Sequence, residues 1–509
     1  MIFKLKHFIK TDLFIYFTLI FAALVSRLPF MEKFQSSMDG PQYSIAVVRY
    51  SFEQQTPGPP GYPLYIGLGK FFNLFTHDPY SALLLTGVLG SVLGAVILFH
   101  IGLKLFHRNV GIAAAAIFLT GSTFYYLGLT EYGYILIVPT TVLLAYEVYR
   151  IFILHKKEGI FLGLIFGICI GIRPQEILQI VTLFALGFIF LPGKEKIKTI
   201  ISFSLVTLLW LVPIINAVGI KQFLDMFNQS SALIAYRGTL TANSFNVIKG
   251  FLLSFGISGI FLVYFLRFIK KRPHLVKNTK KQVVFFSAWI IPGLLINIIL
   301  FSDHPGYQIS YLTGILILLS YAIWKKTEKN NFLFIFIIII ISLFNLFWFF
   351  YNRDPNLSKP YRFLSFHYSE IVKNDIKLGG KIKFIHENFD PKTTLIVTNS
   401  LYWRPYMYYL KDYRVSDIEA IDTNIPMYMY VKRDAINWNR KEYVSKDLFL
   451  QIPQNIKNIV FTEDNAKNYI KNYSINVRSL PGNSTITSIS VPKNSEMFYK
   501  YHFVEIRTQ

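Results

Sequence analysis

Residues able to do chemistry are few in this chain, and they fall in short interruptions between long apolar blocks. Asp39 opens MDGPQYSIAVVRYSF, and Lys70 follows in PGPPGYPLYIGLGKFF. Glu131 lies in LTEYGY, Arg173 and Gln175 in GICIGIRPQE, Arg237 in ALIAYRGTL, and His304 and Tyr307 in SDHPGYQ. A carboxylate in such a place either takes up a proton during catalysis or caps a helix. An arginine there either forks onto a phosphate or snorkels to the interface. A histidine and tyrosine around Pro-Gly either bind a polar ligand or build a turn. Residue type alone leaves each pair of readings open.

Asp39 shows how even the choice is. Ile45, Val48 and Phe52 recur at helical spacing behind it, which predicts an interfacial helix with Asp39 near its N-terminus. An ordinary N-cap is enough to explain an acid there. The Pro57 to Pro63 knot is a stiff turn, since proline fixes φ and glycine permits close approach. It redirects the chain into YIGLGKFFNLF, a second interfacial or re-entrant helix. Glu131 sits in a tight loop where a bilayer penalises charge, and capping the next helix is one of its roles to consider.

The elements that must position these residues are membrane spans. Of 509 residues, 53% are hydrophobic and only 16% charged, against about 25% charged in a soluble domain. The apolar blocks run to about twenty residues, the length that crosses a bilayer core. Eleven spans are expected, centred near Phe17, Leu93, Ile117, Val138, Leu164, Thr182, Leu205, Gly259, Ile290, Leu316 and Ile339. The first follows MIFKLKHFIKTD without a small-residue cleavage site and is read as retained. The single cysteine, Cys169, excludes an internal disulfide framework and reads as a packing residue.

The charge follows the same frame. With the N-terminus cytoplasmic, residues 1–351 place 21 Lys/Arg inside and 8 outside, against 5 and 8 Asp/Glu. The net charge of +23 is then mostly a topology signal and not a footprint for nucleic acid, which is not an expected partner. All the candidate residues fall on the outer side. Residues 1–351 are expected to form the membrane domain, with a long first outer loop over 29–80. Residues 352–509, with 23 Lys/Arg and 16 Asp/Glu, turn polar and alternate β-branched runs such as TTLIVTN with helical stretches. They predict a small α/β domain outside the membrane. The Lys, Asn and Ile content points to a bacterial source and so to the inner membrane.

An acid after the first span followed by PGPPGYPLYIGLGKFF resembles the first outer loop of the GT-C glycosyltransferases, nearest their protein O-mannosyltransferase-like branch. GICIGIRPQE, SDHPGYQISYL and YWRPYMYYL are similar to later segments of the same enzymes, in the same order. The resemblance implies a GT-C-like, all-α polytopic domain with an α/β exocytoplasmic domain. It implies transfer, with inversion, of a sugar from a polyprenyl-phosphate carrier to a hydroxyl. The acceptor is a protein by resemblance, with lipid and glycan acceptors left open. Asp39 matches the family's catalytic acid and so becomes the general base, with Glu131 as a helper that orients the acceptor or shares the proton. Arg173 is the first choice for the departing phosphate, ahead of Arg237 and Lys70. Gln175, His304 and Tyr307 would complete substrate binding, and Tyr402 and Trp403 would stack on a sugar face. No cofactor or metal is expected, since no cluster has metal-ligand spacing.

One departure stands out. The family's histidine before the prolines is Gly58 here, and His304 is a candidate substitute. Two other classes fit the apolar frame, a transporter and a non-catalytic binder of lipid-linked glycans. A transporter would show paired repeats and midplane charges, neither of which is legible here.

Overall fold

The computed structural model describes residues 12–35, 37, 39–51, 56–58, 60–225, 239–262, 279–300, 304–351, 366–398, 403–418, 429–432, 438–441, 455–462 and 476–490. They form two compact units. One is Met1–Met31 with Pro59–Ser369, and the other is Glu32–Gly58 with Glu370–Gln509. The chain therefore leaves the first unit after the first span, contributes a short segment to the second, and returns. The second unit takes up the chain again at Glu370, within the Tyr368–Asn388 helix.

The first unit is helical because lipid satisfies no backbone hydrogen bond, so each apolar block must pair its own amides and carbonyls within the segment. Among the described residues, eight of its helices are long and apolar enough to cross a bilayer. They are Asp12–Phe30, Pro79–Leu105, Tyr134–Phe152, Gly193–Val218, Leu240–Leu262, Lys280–Ile299, Pro305–Thr327 and Asn331–Phe350. Three further apolar helices, Arg108–Thr120, Ile160–Ile172 and Pro174–Ile189, lie where spans were expected near Ile117, Leu164 and Thr182 but are shorter than a spanning helix. Leu209 and Phe332 are 75% and 79% exposed, as befits side chains whose solvent is hydrocarbon. This is an integral multi-pass membrane protein.

Small residues set the helix spacing. Gly159, Gly163, Gly167 and Gly171 recur every four residues along one face, which packs on Gly193–Val218. A Cβ on Gly163 would run into the Thr199 carbonyl, one on Gly167 would lie 3.0 Å from Val206, and one on Gly171 2.7 Å from Trp210 Nε1. The closeness lets Thr199 Oγ1 donate to the Gly159 carbonyl at 3.0 Å and Ser202 Oγ to that of Ile160 at 2.9 Å. These bonds replace water that the bilayer does not supply. The helix that ends at Arg173 is thereby fixed in place.

Among the described residues, the second unit is a mixed sheet of seven strands in the order β4-β3-β2-β1-β5-β7-β6. The strands are β1 (Thr394–Thr398), β2 (Arg414–Ile418), β3 (Met429–Lys432), β4 (Trp438–Lys441), β5 (Asn458–Phe461), β6 (Asn476–Leu480) and β7 (Ser484–Ser490). β1 runs parallel to β2 and β5, and every other pairing is antiparallel. The helices Tyr368–Asn388 and Trp403–Tyr409 supply Ile382, Ile385, Tyr406 and Met407 to a core shared with Ile396, Val415, Val460 and Ile486. This is the α/β domain expected at the C-terminal end.

The early segment of this unit corrects one expectation. Gly40–Val48 is a helix, but every residue from Gly40 to Val47 is buried and only its end is exposed. It is a buried element and not an amphipathic surface helix; the Trp403–Tyr409 helix packs against it. Phe34 packs on the core, the Lys33 and Phe34 amides donate to Asp375 Oδ1 at 2.9 Å, and the Gln35 amide donates to the Tyr409 hydroxyl at 3.0 Å.

Candidate functional site

Arg173 ends the Ile160–Ile172 helix in an extended conformation (φ −145°, ψ 96°), as a residue before proline prefers. A single 3₁₀ turn, Pro174–Glu176, follows and the next helix starts at Ile177. This break points the Arg173 side chain inward, where it is 2% exposed. Three tyrosine rings surround the guanidinium carbon, with centroids at 3.8 Å (Tyr134), 5.2 Å (Tyr62) and 5.5 Å (Tyr307). Desolvation that a buried cation would otherwise suffer is offset by these ring faces and by an acid. Glu176 Oε1 lies 3.5 Å from Arg173 Nε, and its other oxygen accepts a hydrogen bond from the Ser310 hydroxyl.

Each tyrosine comes from a different loop, and each follows a glycine. Gly61 (φ 98°) and Tyr62 (φ 46°) both take left-handed conformations, and Tyr62 leads into the Pro63–Thr76 helix. A bulky residue in that region is strained and is kept there by its surroundings; Gln175 Nε2 donates to its hydroxyl at 3.2 Å. Gly133 is left-handed (φ 65°), and a Cβ on it would sit 2.8 Å from the Tyr65 ring. Gly306 approaches Tyr134 so closely that a Cβ would lie 2.6 Å from its ring. The three Gly-Tyr pairs and Ser310 are signals in the sequence that the reading by charged residues passes over, and Glu176, which stands in GIRPQE, is given no role by it.

His304 completes the cluster. Its Nδ1 accepts from the Gly306 amide at 3.0 Å, capping the Pro305–Gln308 turn, and its ring stacks on Tyr134 at 5.1 Å and lies 5.0 Å from Tyr132. Burial, followed by the charges of Arg173 and Lys249, pushes the imidazole down to about 3, so it is neutral at physiological pH. With Nδ1 as acceptor, the neutral ring carries its proton on Nε2. Behind Tyr307, Gln179 and Asn297 donate to its backbone carbonyl at 2.8 and 3.3 Å.

The structure therefore gathers Arg173, Gln175, His304 and Tyr307. Glu131 is buried in the adjoining loop, and its backbone carbonyl accepts from the Tyr65 hydroxyl. Lys70 is exposed on the Pro63–Thr76 helix, about two turns beyond Tyr62. Arg237 and Tyr402 lie outside the described residues, as does the Trp403 side chain.

Asp39 belongs to the second unit, where it is exposed just ahead of Gly40–Val48. Its carboxylate makes no capping bond to that helix; Ser37 Oγ instead accepts from the Gly40 amide at 2.8 Å. At Gly58, the position of the family histidine, a Cβ would lie 2.8 Å from Gln42 Oε1, which accepts from the Gly58 amide at 3.2 Å. Among the described residues, no group of three His, Cys, Asp or Glu side chains is placed to hold a metal.

Residues 58–218 match the sequence model of the dolichyl-phosphate-mannose-protein mannosyltransferase family. That stretch takes in the first three of the four loops above. No curated protein matches the chain by sequence. In fold, the chain is similar to ArnT from Cupriavidus metallidurans bound to undecaprenyl phosphate, with a TM-score of 0.57 at 10% identity over 94% of this chain and 97% of that one. The apo state of the same protein gives 0.56 at 11% identity, with the same coverage. The likeness is one of fold. The matched residues include two of the motifs on which the resemblance rests, GPPGYPLYIGLGKFF and GICIGIRPQE.

Proposed function

We propose that this protein transfers a sugar from a polyprenyl-phosphate carrier to an acceptor hydroxyl at the outer face of a bacterial inner membrane, its N-terminus being cytoplasmic. The observation that carries the reading is the convergence of PGYPLY, EYGY, GIRPQE and HPGYQ on one buried guanidinium. Supporting it, the ArnT neighbour was solved with undecaprenyl phosphate, and Arg173 Nε and Nη2 are buried without a hydrogen-bond acceptor among the described residues. A phosphate presents two oxygens at the spacing of such an edge. Gln175, His304 and Tyr307 are only partly buried and form the approach to it.

In the reaction, the acceptor oxygen bonds to the anomeric carbon and the bond from that carbon to the phosphate oxygen breaks. The hydroxyl proton passes to the Asp39 carboxylate, and the anomeric centre inverts. The charge arriving on the lipid phosphate is met by Arg173, with the neutral His304 Nε2–H and the Tyr307 hydroxyl as further donors. Glu131 orients the acceptor, and Lys70 and Arg237 are secondary cations for the donor. A protein hydroxyl is the acceptor that fits the matched family.

Membranes holding the wild-type chain should release undecaprenyl phosphate from a radiolabelled undecaprenyl-phosphate sugar, and Arg173→Gln should lose that release. Wild-type membranes that release none across the common hexose and pentose donors would contradict the proposal.

A further inference from the structure

Glu176 is an awkward neighbour for a phosphate site. Its carboxylate is 1% exposed and lies 3.5 Å from Arg173 Nε, yet Nε still has no hydrogen-bond acceptor, and neither has Nη2. Those two nitrogens share one edge of the guanidinium. Ser310, itself buried at the start of the Ile309–Thr327 helix, holds the second carboxylate oxygen by its hydroxyl. The acid is thus near enough to neutralise the cation but is restrained from closing onto it. Tyr134 covers the guanidinium face at 3.8 Å, so a ligand anion has only the edge to take.

We infer that Glu176 is an internal counter-ion held back by Ser310, and that it sets how tightly the Arg173 edge binds the lipid phosphate. The inference rests on the proposed role of Arg173. Before the donor arrives, Glu176 makes a buried cation tolerable. Once a phosphate occupies the edge, the carboxylate repels it from a few ångströms away. The lipid phosphate left after transfer carries more charge than the sugar-linked donor, so the repulsion acts most on the product. A site that held its product as firmly as an isolated buried arginine would be slow to turn over.

The two variants act in opposite directions. Glu176→Gln removes the competing charge and keeps the shape, so the full-length protein should bind undecaprenyl phosphate at least about tenfold more tightly, from Coulomb repulsion at an effective dielectric near 20. Its turnover should fall through product inhibition while KM for the donor also falls. Ser310→Ala frees the carboxylate to close on Nε and Nη2, so binding should weaken by about threefold or more.

A residue with a merely structural role would lower thermal stability without tightening binding. Binding of undecaprenyl phosphate is measured on wild type, Glu176→Gln, Ser310→Ala and Arg173→Gln in detergent. Tighter binding by Glu176→Gln with weaker binding by Ser310→Ala supports the inference. Unchanged or weaker binding by a folded Glu176→Gln overturns it, while loss of binding in Arg173→Gln leaves the role of Arg173 standing. If Glu176→Gln does not fold, Ser310→Ala decides, and binding equal to wild type overturns the inference. Normal binding by Arg173→Gln removes the proposed role of Arg173 and this inference with it.

Discussion

At the scale of single residues, Arg173 is held by shape as much as by charge. A lysine there keeps the charge but loses the planar stack on Tyr134 and the two-nitrogen edge. Arg173→Gln should lower donor turnover by roughly 10²–10³-fold, the usual effect of removing a donor to developing charge. Arg173→Lys should fall between it and wild type; single-turnover release of lipid phosphate checks both. His304 gives a pH prediction. Its imidazole is held near 3 when folded against about 6.5 when unfolded. Between these values the unfolded chain binds a proton that the folded chain does not, so stability is fully present above about 6.5 and is lost as pH falls toward 3. His304→Asn, whose Oδ1 can still accept from the Gly306 amide, should flatten that slope in thermal melts across pH 4 to 7. An unchanged slope would place the titrating group elsewhere.

The site was half legible at this scale. Arg173, Gln175, His304 and Tyr307 announced themselves as polar residues in apolar surroundings. Tyr62, Tyr134, Glu176 and Ser310 did not, because their roles come from four loops meeting in space, and no local periodicity encodes that.

At the scale of elements, the glycine face from Gly159 to Gly171 fixes where the Ile160–Ile172 helix ends and so where Arg173 starts. A methyl group on Gly163 meets the Thr199 backbone and the Ser202 hydroxyl. Gly163→Ala should therefore cost about 1–3 kcal/mol by forcing the helices apart, read as a lower melting temperature in detergent. Gly67 is the control: nothing lies within 4 Å of an added Cβ, and Gly67→Ala should hold or raise stability through helix propensity. Equal effects at the two sites would remove the packing argument. Hydropathy located the eight helices that, among the described residues, are long and apolar enough to span, since that pattern needs only composition and length. It misread Gly40–Val48 as a surface helix, because the packing of that helix against Trp403–Tyr409, far along the chain, is not a local pattern.

At the scale of the whole molecule, the chain is similar in fold to ArnT over 94% of its length. The charge bias predicts which side each loop faces. The only native cysteine, Cys169, is buried, so single engineered cysteines report cleanly. Asp225→Cys should react with an impermeant reagent on intact cells, and Lys157→Cys only after permeabilisation; the reverse pattern would invert the proposed orientation. The central claim is chemical: a carboxylate in this chain takes the acceptor's proton while a polyprenyl phosphate leaves. The most direct test is release of undecaprenyl phosphate from a labelled lipid-linked sugar by wild type and by Asp39→Asn, which keeps the shape and removes the base. The account predicts release by wild type and a fall of ~10²–10⁴-fold in the variant. Undiminished release by Asp39→Asn would contradict it.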